Sequence, residues 1–176
     1  MDFLRKYTLP IGLKKAVKNH PSGGQSLRFE ESKKVLLFFT SQGNQKIVLV
    51  KALQNKLERE GKEVACLYLV EKDEDKPDVH LDEGMERVTV RDFSYFGKIE
   101  KKEVQELLKA KYDFVLHLDM ESNIHCDLIL ASCKARCRIG RYLENHLELY
   151  EMMVKVDNDK KINYLIDQIY HYTKVL

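Results

Sequence analysis

The chain has no run of apolar residues near the ~20 that a membrane-crossing helix requires, so it reads as a soluble protein. Neither charge is in excess: 30 basic against 28 acidic residues leave a net +2, too little for a general attraction to nucleic acid. Cysteine is scarce, and the four present, Cys66, Cys126, Cys133 and Cys137, form no Cys-x-x-Cys pair. Cys126 and Cys133 fall seven apart on one expected helix, with His125 adjacent and Cys137 on the next strand. Small buried thiols account for that pattern, and no metal is expected. No stretch is repeated or low in complexity. The N-terminus, with Asp2, Arg5, Lys6 and Pro10, lacks the clean apolar core of a signal peptide. These absences point to a cytoplasmic protein with reduced thiols.

What is present describes one globular domain: 176 residues, 44% apolar and 33% charged, enough chain for a sizeable core. Residues 1–32 read as a basic amphipathic leader and loop, and 33–176 as a single α/β domain. The leader sets Phe3, Leu4, Tyr7, Ile11, Leu13 and Val17 among Arg5, Lys6, Lys14, Lys15 and Lys18, broken by Pro10 and Gly12, before the loop His20–Gln25. So much apolar and basic surface implies docking: onto this chain's own sheet edge, onto a second copy as a homodimer, or peripherally onto an anionic membrane.

Strands and helices then alternate. Val35–Phe39, Val64–Val70, Arg87–Arg91, Phe114–Leu118 and Arg136–Ile139 read as strands, with Met152–Val156 a further one. Helices are expected over Lys46–Glu60, closed by a left-handed Gly61, over Glu100–Lys111 and Ile124–Cys133, and in a last segment capped by Asp157-Asn-Asp159. Such alternation predicts a three-layer α/β sandwich with a mainly parallel, Rossmann-like or flavodoxin-like sheet.

In such sheets ligands sit where the strand order reverses, beyond the carboxyl ends of the strands. That places Thr40, Ser41, Gln42, Gly43 and Asn44 after the first strand, and His117 and Asp119 after the fourth, as candidate ligand-binding residues. A glycine turn opening a helix can cradle a small anion, while Ser41 and Asn44 can equally cap the helix. His117 and Asp119 alternate onto one face, with Leu118 on the other, as an imidazole–carboxylate pair or as a core histidine beside a helix cap. Lys134, Arg136, Arg138 and Arg141 suit an anion, an acidic partner surface or a solvated edge strand.

Phe38-Phe-Thr-Ser-Gln-Gly-Asn-Gln45 resembles the phosphate loop of flavodoxins. That resemblance implies FMN, with Tyr95 and Phe96 in place of the absent tryptophan as stacking rings. Tyr112–Asp119 with Leu128–Gly140 is similar to the N-terminal domain of glycosyltransferase family 9, the bacterial heptosyltransferases. There Ser41, Gly43 and Asn44 fall on that family's Ser-x-x-Gly-Asp turn in a form shortened by one residue, and the family's catalytic aspartate corresponds to Asn44, which cannot act as a base. The chain also resembles small bacterial proteins built of one α/β domain behind a basic leader. The expectation is a non-catalytic domain without cofactor, binding a small anionic or nucleotide-like ligand or a protein partner. The alternatives are a flavin-binding domain and an enzyme, either glycosyltransferase-like or using His117 with Asp119.

Overall fold

The computed structural model describes residues 2–19, 28–75, 77–78, 80 and 83–176; the expected loop His20–Gln25 falls outside them. Six parallel strands form one sheet in the order β3-β2-β1-β4-β5-β6. They are β1 (Lys34–Thr40), β2 (Glu63–Val70), β3 (Glu86–Thr89), β4 (Lys111–His117), β5 (Lys134–Arg141) and β6 (Met152–Val154). The order reverses between β1 and β4. Helices cover both faces: α1 (Asp2–Lys18), α3 (Lys102–Lys109) and α4 (Ile124–Ser132) on one, α2 (Asn44–Arg59) and α5 (Ile162–Lys174) on the other.

The central strand shows why the sequence takes this form. Leu36 and Phe38 point to the core beneath α1, α3 and α4, while Val35, Leu37 and Phe39 point to the core beneath α2 and α5. A strand covered on both faces must be apolar at every position, and each such side chain contributes roughly 1.5–3 kcal/mol on burial. On α2, Ile47, Val50, Leu53 and Leu57 supply one buried stripe. Gly61 ends that segment with φ +80°, and the Lys62 N–H returns to the Leu57 carbonyl at 3.1 Å.

Several expectations are corrected. Pro10 and Gly12 do not break the leader, which is one helix. Pro10 sits on its exposed side, where the carbonyl left unpaired by the missing N–H can meet water. Gly12 is a contact rather than a breaker, since a Cβ there would overlap the Phe96 carbonyl. Nor does α1 dock on this chain's own sheet edge. It lies on α4, burying Leu9 with Leu13, Ala16 and Val17 packed alongside; the side chains of Phe3 and Leu4 lie outside the described residues. The third strand stops at Thr89 because Asp92 caps back onto Thr89 and turns the chain into a 3-10 segment, Val90–Asp92. Asp157–Asp159 do not cap α5, whose flanking residue is Lys161; Asn158 instead accepts from Arg141.

Candidate functional site

Thr40 ends β1 and Asp119 lies two residues beyond β4, so the strand-order reversal brings them together at the carboxyl edge of the sheet. Asp119 is buried and receives four donors. The Thr40 N–H and hydroxyl reach Oδ2 at 2.8 and 3.1 Å, His117 Nε2 reaches the same oxygen at 2.9 Å, and Lys46 Nζ pairs with Oδ1. Burial pushes the Asp119 pKa up, but the Lys46 ammonium, then His117, more than offset it and hold the carboxyl below the ordinary aspartate value. Lys46 comes from the first turn of α2 and is itself buried.

With Asp119 ionised, His117 Nε2 carries the proton that it donates. Its Nδ1 shares a hydrogen bond with the Tyr150 hydroxyl at 2.7 Å. The imidazole is sandwiched between rings, stacked on Phe38 at 5.0 Å and on Tyr150 at 6.1 Å between centroids. Tyr150 can approach because Gly140 has no Cβ to meet its ring. Burial, with Asp127 nearby, raises the Tyr150 phenol well above its ordinary value, so it stays protonated. Cys126 Sγ lies 3.3 Å from the Thr40 hydroxyl, and burial pushes its thiol up to about 12. Donor atoms of His117, Asp119 and Cys126 all fall within 4.8 Å of one another, a convergence that the cysteine spacing did not suggest. Lys46, Thr40 and Tyr150 already engage that set, and the adjacent ammonium repels a cation placed there.

Above this buried network lies a cavity of about 370 Å³, lined by Thr40, Gln42, Glu71, Asp119, Met120, Glu121, Ser122 and Asn123. Asn123 closes one side with both ends of its amide. Its Oδ1 accepts from the His125 and Cys126 N–H groups at 2.9 and 3.1 Å, capping α4, and its Nδ2 donates to Glu71 Oε1 at 2.9 Å. The Glu71 pKa is raised, first by burial and then by the charges of Asp119 and Asp75.

The sequence over residues 5–176 matches DUF6913, a family of unknown function. The chain belongs to DUF6913. No curated protein and no solved structure matches it.

In this DUF6913 chain the expected site residues divide in two. Thr40, Gln42 and Asp119 line the cavity, with His117 sealed beneath Asp119. Ser41 and Asn44 turn instead to the segment after β2: the Ser41 hydroxyl donates to the Asp75 carbonyl at 2.5 Å, and Asn44 Nδ2 donates to Asp78 Oδ2 at 2.6 Å. Neither caps α2, whose N-cap is Gly43 at φ +82°. Asp119 caps nothing either, because Asn123 takes that role for α4. Lys46, Tyr150, Glu71 and Asn123 were missed. Lys46 carried a signal, since a lysine on the inner stripe of an amphipathic helix needs a buried partner.

The basic strand is a further correction. β5 is interior, between β4 and β6, and not a solvated edge. Arg138 is 0% exposed. It donates to the Leu130 and Cys133 carbonyls at 3.2 and 2.6 Å and pairs with Glu151 Oε1 at 2.8 Å. Arg141 likewise ties the Met120 and Val156 carbonyls, at 2.5 and 3.0 Å. Both guanidinium groups serve the chain's own carbonyls.

Proposed function

We propose that this chain is a small-molecule binding domain whose ligand occupies the cavity over β1 and β4 and presents positive charge or several hydrogen-bond donors. The composition of the wall carries the reading. Glu71 and Glu121 contribute carboxylates beside the already paired Asp119, Gln42, Ser122 and Asn123 contribute amide and hydroxyl groups, and no basic side chain is among the described lining residues. The raised Glu71 pKa, a product of burial and like charge, marks a carboxylate that an ammonium or guanidinium group would relieve. An anion is less well served there. Asp119 already takes the Thr40 N–H and Lys46, and Asp78 already stands against Asn44 at the start of α2.

Binding is favoured over catalysis by the state of the acid–base groups. Asp119 is held ionised with its oxygens engaged by four donors, and His117 is screened from the cavity. A general base needs a free lone pair within reach of the proton it removes.

A thermal-shift screen of the full chain tests the reading. Short diamines, guanidines and quaternary ammonium compounds are compared with inorganic phosphate, nucleotides, sugar nucleotides and FMN. A cation at a hundred times its Kd is expected to stabilise by about 2.7 kcal/mol. Stabilisation confined to phosphate-bearing compounds would overturn the proposal. Sugar nucleotides alone would then favour the glycosyltransferase likeness, and FMN alone the flavodoxin one.

A further inference from the structure

We propose that the outer face of α1 and the tip of the turn between Phe93 and Ile99 form one docking surface for an anionic lipid bilayer. The surface is apolar where a water-facing surface is ordinarily polar. Tyr7 and Ile11, one helical turn apart, are 58% and 60% exposed, and Tyr95 and Phe96 are 43% and 63% exposed. These four side chains belong to one patch because the two elements are fastened together. The Thr8 hydroxyl donates to the Tyr95 carbonyl, and Gly12 meets the Phe96 carbonyl without a Cβ between them. Arg5 donates to the Val90 and Phe93 carbonyls at 3.2 and 3.0 Å, with its guanidinium 5.7 Å from the centre of the Tyr95 ring.

The tip is also internally fixed. The Ser94 N–H donates to the Lys98 carbonyl at 2.8 Å, the Lys98 N–H returns to the Ser94 hydroxyl at 3.0 Å, and Gly97 takes φ +79° to close the turn. A turn this well tied by its backbone does not need an aromatic ring at position 96. It nonetheless holds out two aromatic rings, the side chains that settle at the boundary between headgroups and acyl chains.

Charge selects the occupant. Lys6, Lys14, Lys15, Lys18 and Lys98 are exposed around the patch; neither the stretch 3–19 nor the turn 93–99 contains an acidic residue, although Lys14 and Lys18 also line a cavity with Asp127, Glu144 and Glu148. Four half-exposed side chains present on the order of 400 Å², about half the ~800 Å² per partner that a stable protein interface buries. Lipid has no such minimum, because shallow insertion and the attraction of several lysines to anionic headgroups add together. No helix among the described residues is long and apolar enough to cross a membrane, so the contact is peripheral.

Sedimentation of the full chain with phosphatidylcholine vesicles, with and without phosphatidylserine, tests the proposal, with circular dichroism confirming the fold of each variant. The chain is expected to sediment with the phosphatidylserine vesicles and to be released by high salt. Each of Lys14→Gln, Lys15→Gln and Lys18→Gln should weaken binding by about fivefold, and Phe96→Ser with Ile11→Ser should reduce it at least tenfold. Equal binding to both kinds of vesicle, or to neither, would overturn it. So would a dimer in light scattering that Phe96→Ser converts to monomer, which would give the patch to a second copy of this chain.

Discussion

Asp119 is a buried charge made tolerable by its neighbours. Its carboxylate has exchanged water for the Lys46 ammonium, two groups of Thr40 and the His117 ring. Removing the cation exposes the dependence: Lys46→Met should cost about 3–5 kcal/mol in urea unfolding, because it leaves a buried charge unpaired. The pH dependence has a definite sign. The folded-state pKa of Asp119 lies below its ordinary value, so the pairing stabilises the fold above the unfolded-state pKa, and that stability is lost as pH falls through the lowered value. In Lys46→Met the loss should begin at higher pH, measured as the acid limb of stability against pH. An unchanged limb would mean that Lys46 does not compensate Asp119. Glu71 has the opposite sign. Its folded-state pKa is raised, so its contribution is fully present below the unfolded-state pKa and lost as pH rises through the folded one. At neutral pH it weighs against the fold.

At the scale of elements, side chains are read from the sequence more easily than the contacts between backbones. The strands were legible because short apolar runs bounded by turn residues seldom fold as anything else; their bounds differ by a few residues, β4 running Lys111–His117, where Asp113 accepts the Lys33 and Lys34 N–H groups at 2.7 and 3.1 Å. The leader was misread because glycine and proline ordinarily interrupt helices, and nothing local tells that Gly12 faces the carbonyl of a residue far along the chain. Gly12→Ala follows from that contact. Helix propensity alone would have it stabilise α1 by up to about 1 kcal/mol, whereas overlap with the Phe96 carbonyl should make it destabilising by about 1–3 kcal/mol. Thermal unfolding decides between the two signs. Arg138 failed for a related reason: alternating basic residues on a strand look solvated until Leu130, Cys133 and Glu151 are seen to surround one of them.

Across the whole molecule, the position of the site was more legible than its chemistry. Strand order and the ends of β1 and β4 placed Thr40, His117 and Asp119 together, because the topology of a parallel sheet leaves few alternatives. Tyr150, Glu71 and Asn123 lie just before β6, just after β2 and just before α4, and their convergence depends on packing that no short motif records. Glu71, with Glu121, is what turns the proposed ligand from the anion suggested by a glycine turn to a donor-rich or cationic molecule. A binding residue that strains the unliganded fold gives this reading its sharpest consequence. The decisive measurement is the unfolding temperature of the wild type and of Glu71→Gln at neutral pH, each with and without the best cationic compound. Glu71→Gln is expected to raise the midpoint of the free chain, by well under 1 kcal/mol because the carboxyl is mostly solvent-screened, and to abolish the rise that the cation gives the wild type. An undiminished response to the cation in Glu71→Gln would contradict the assignment of this cavity as its site.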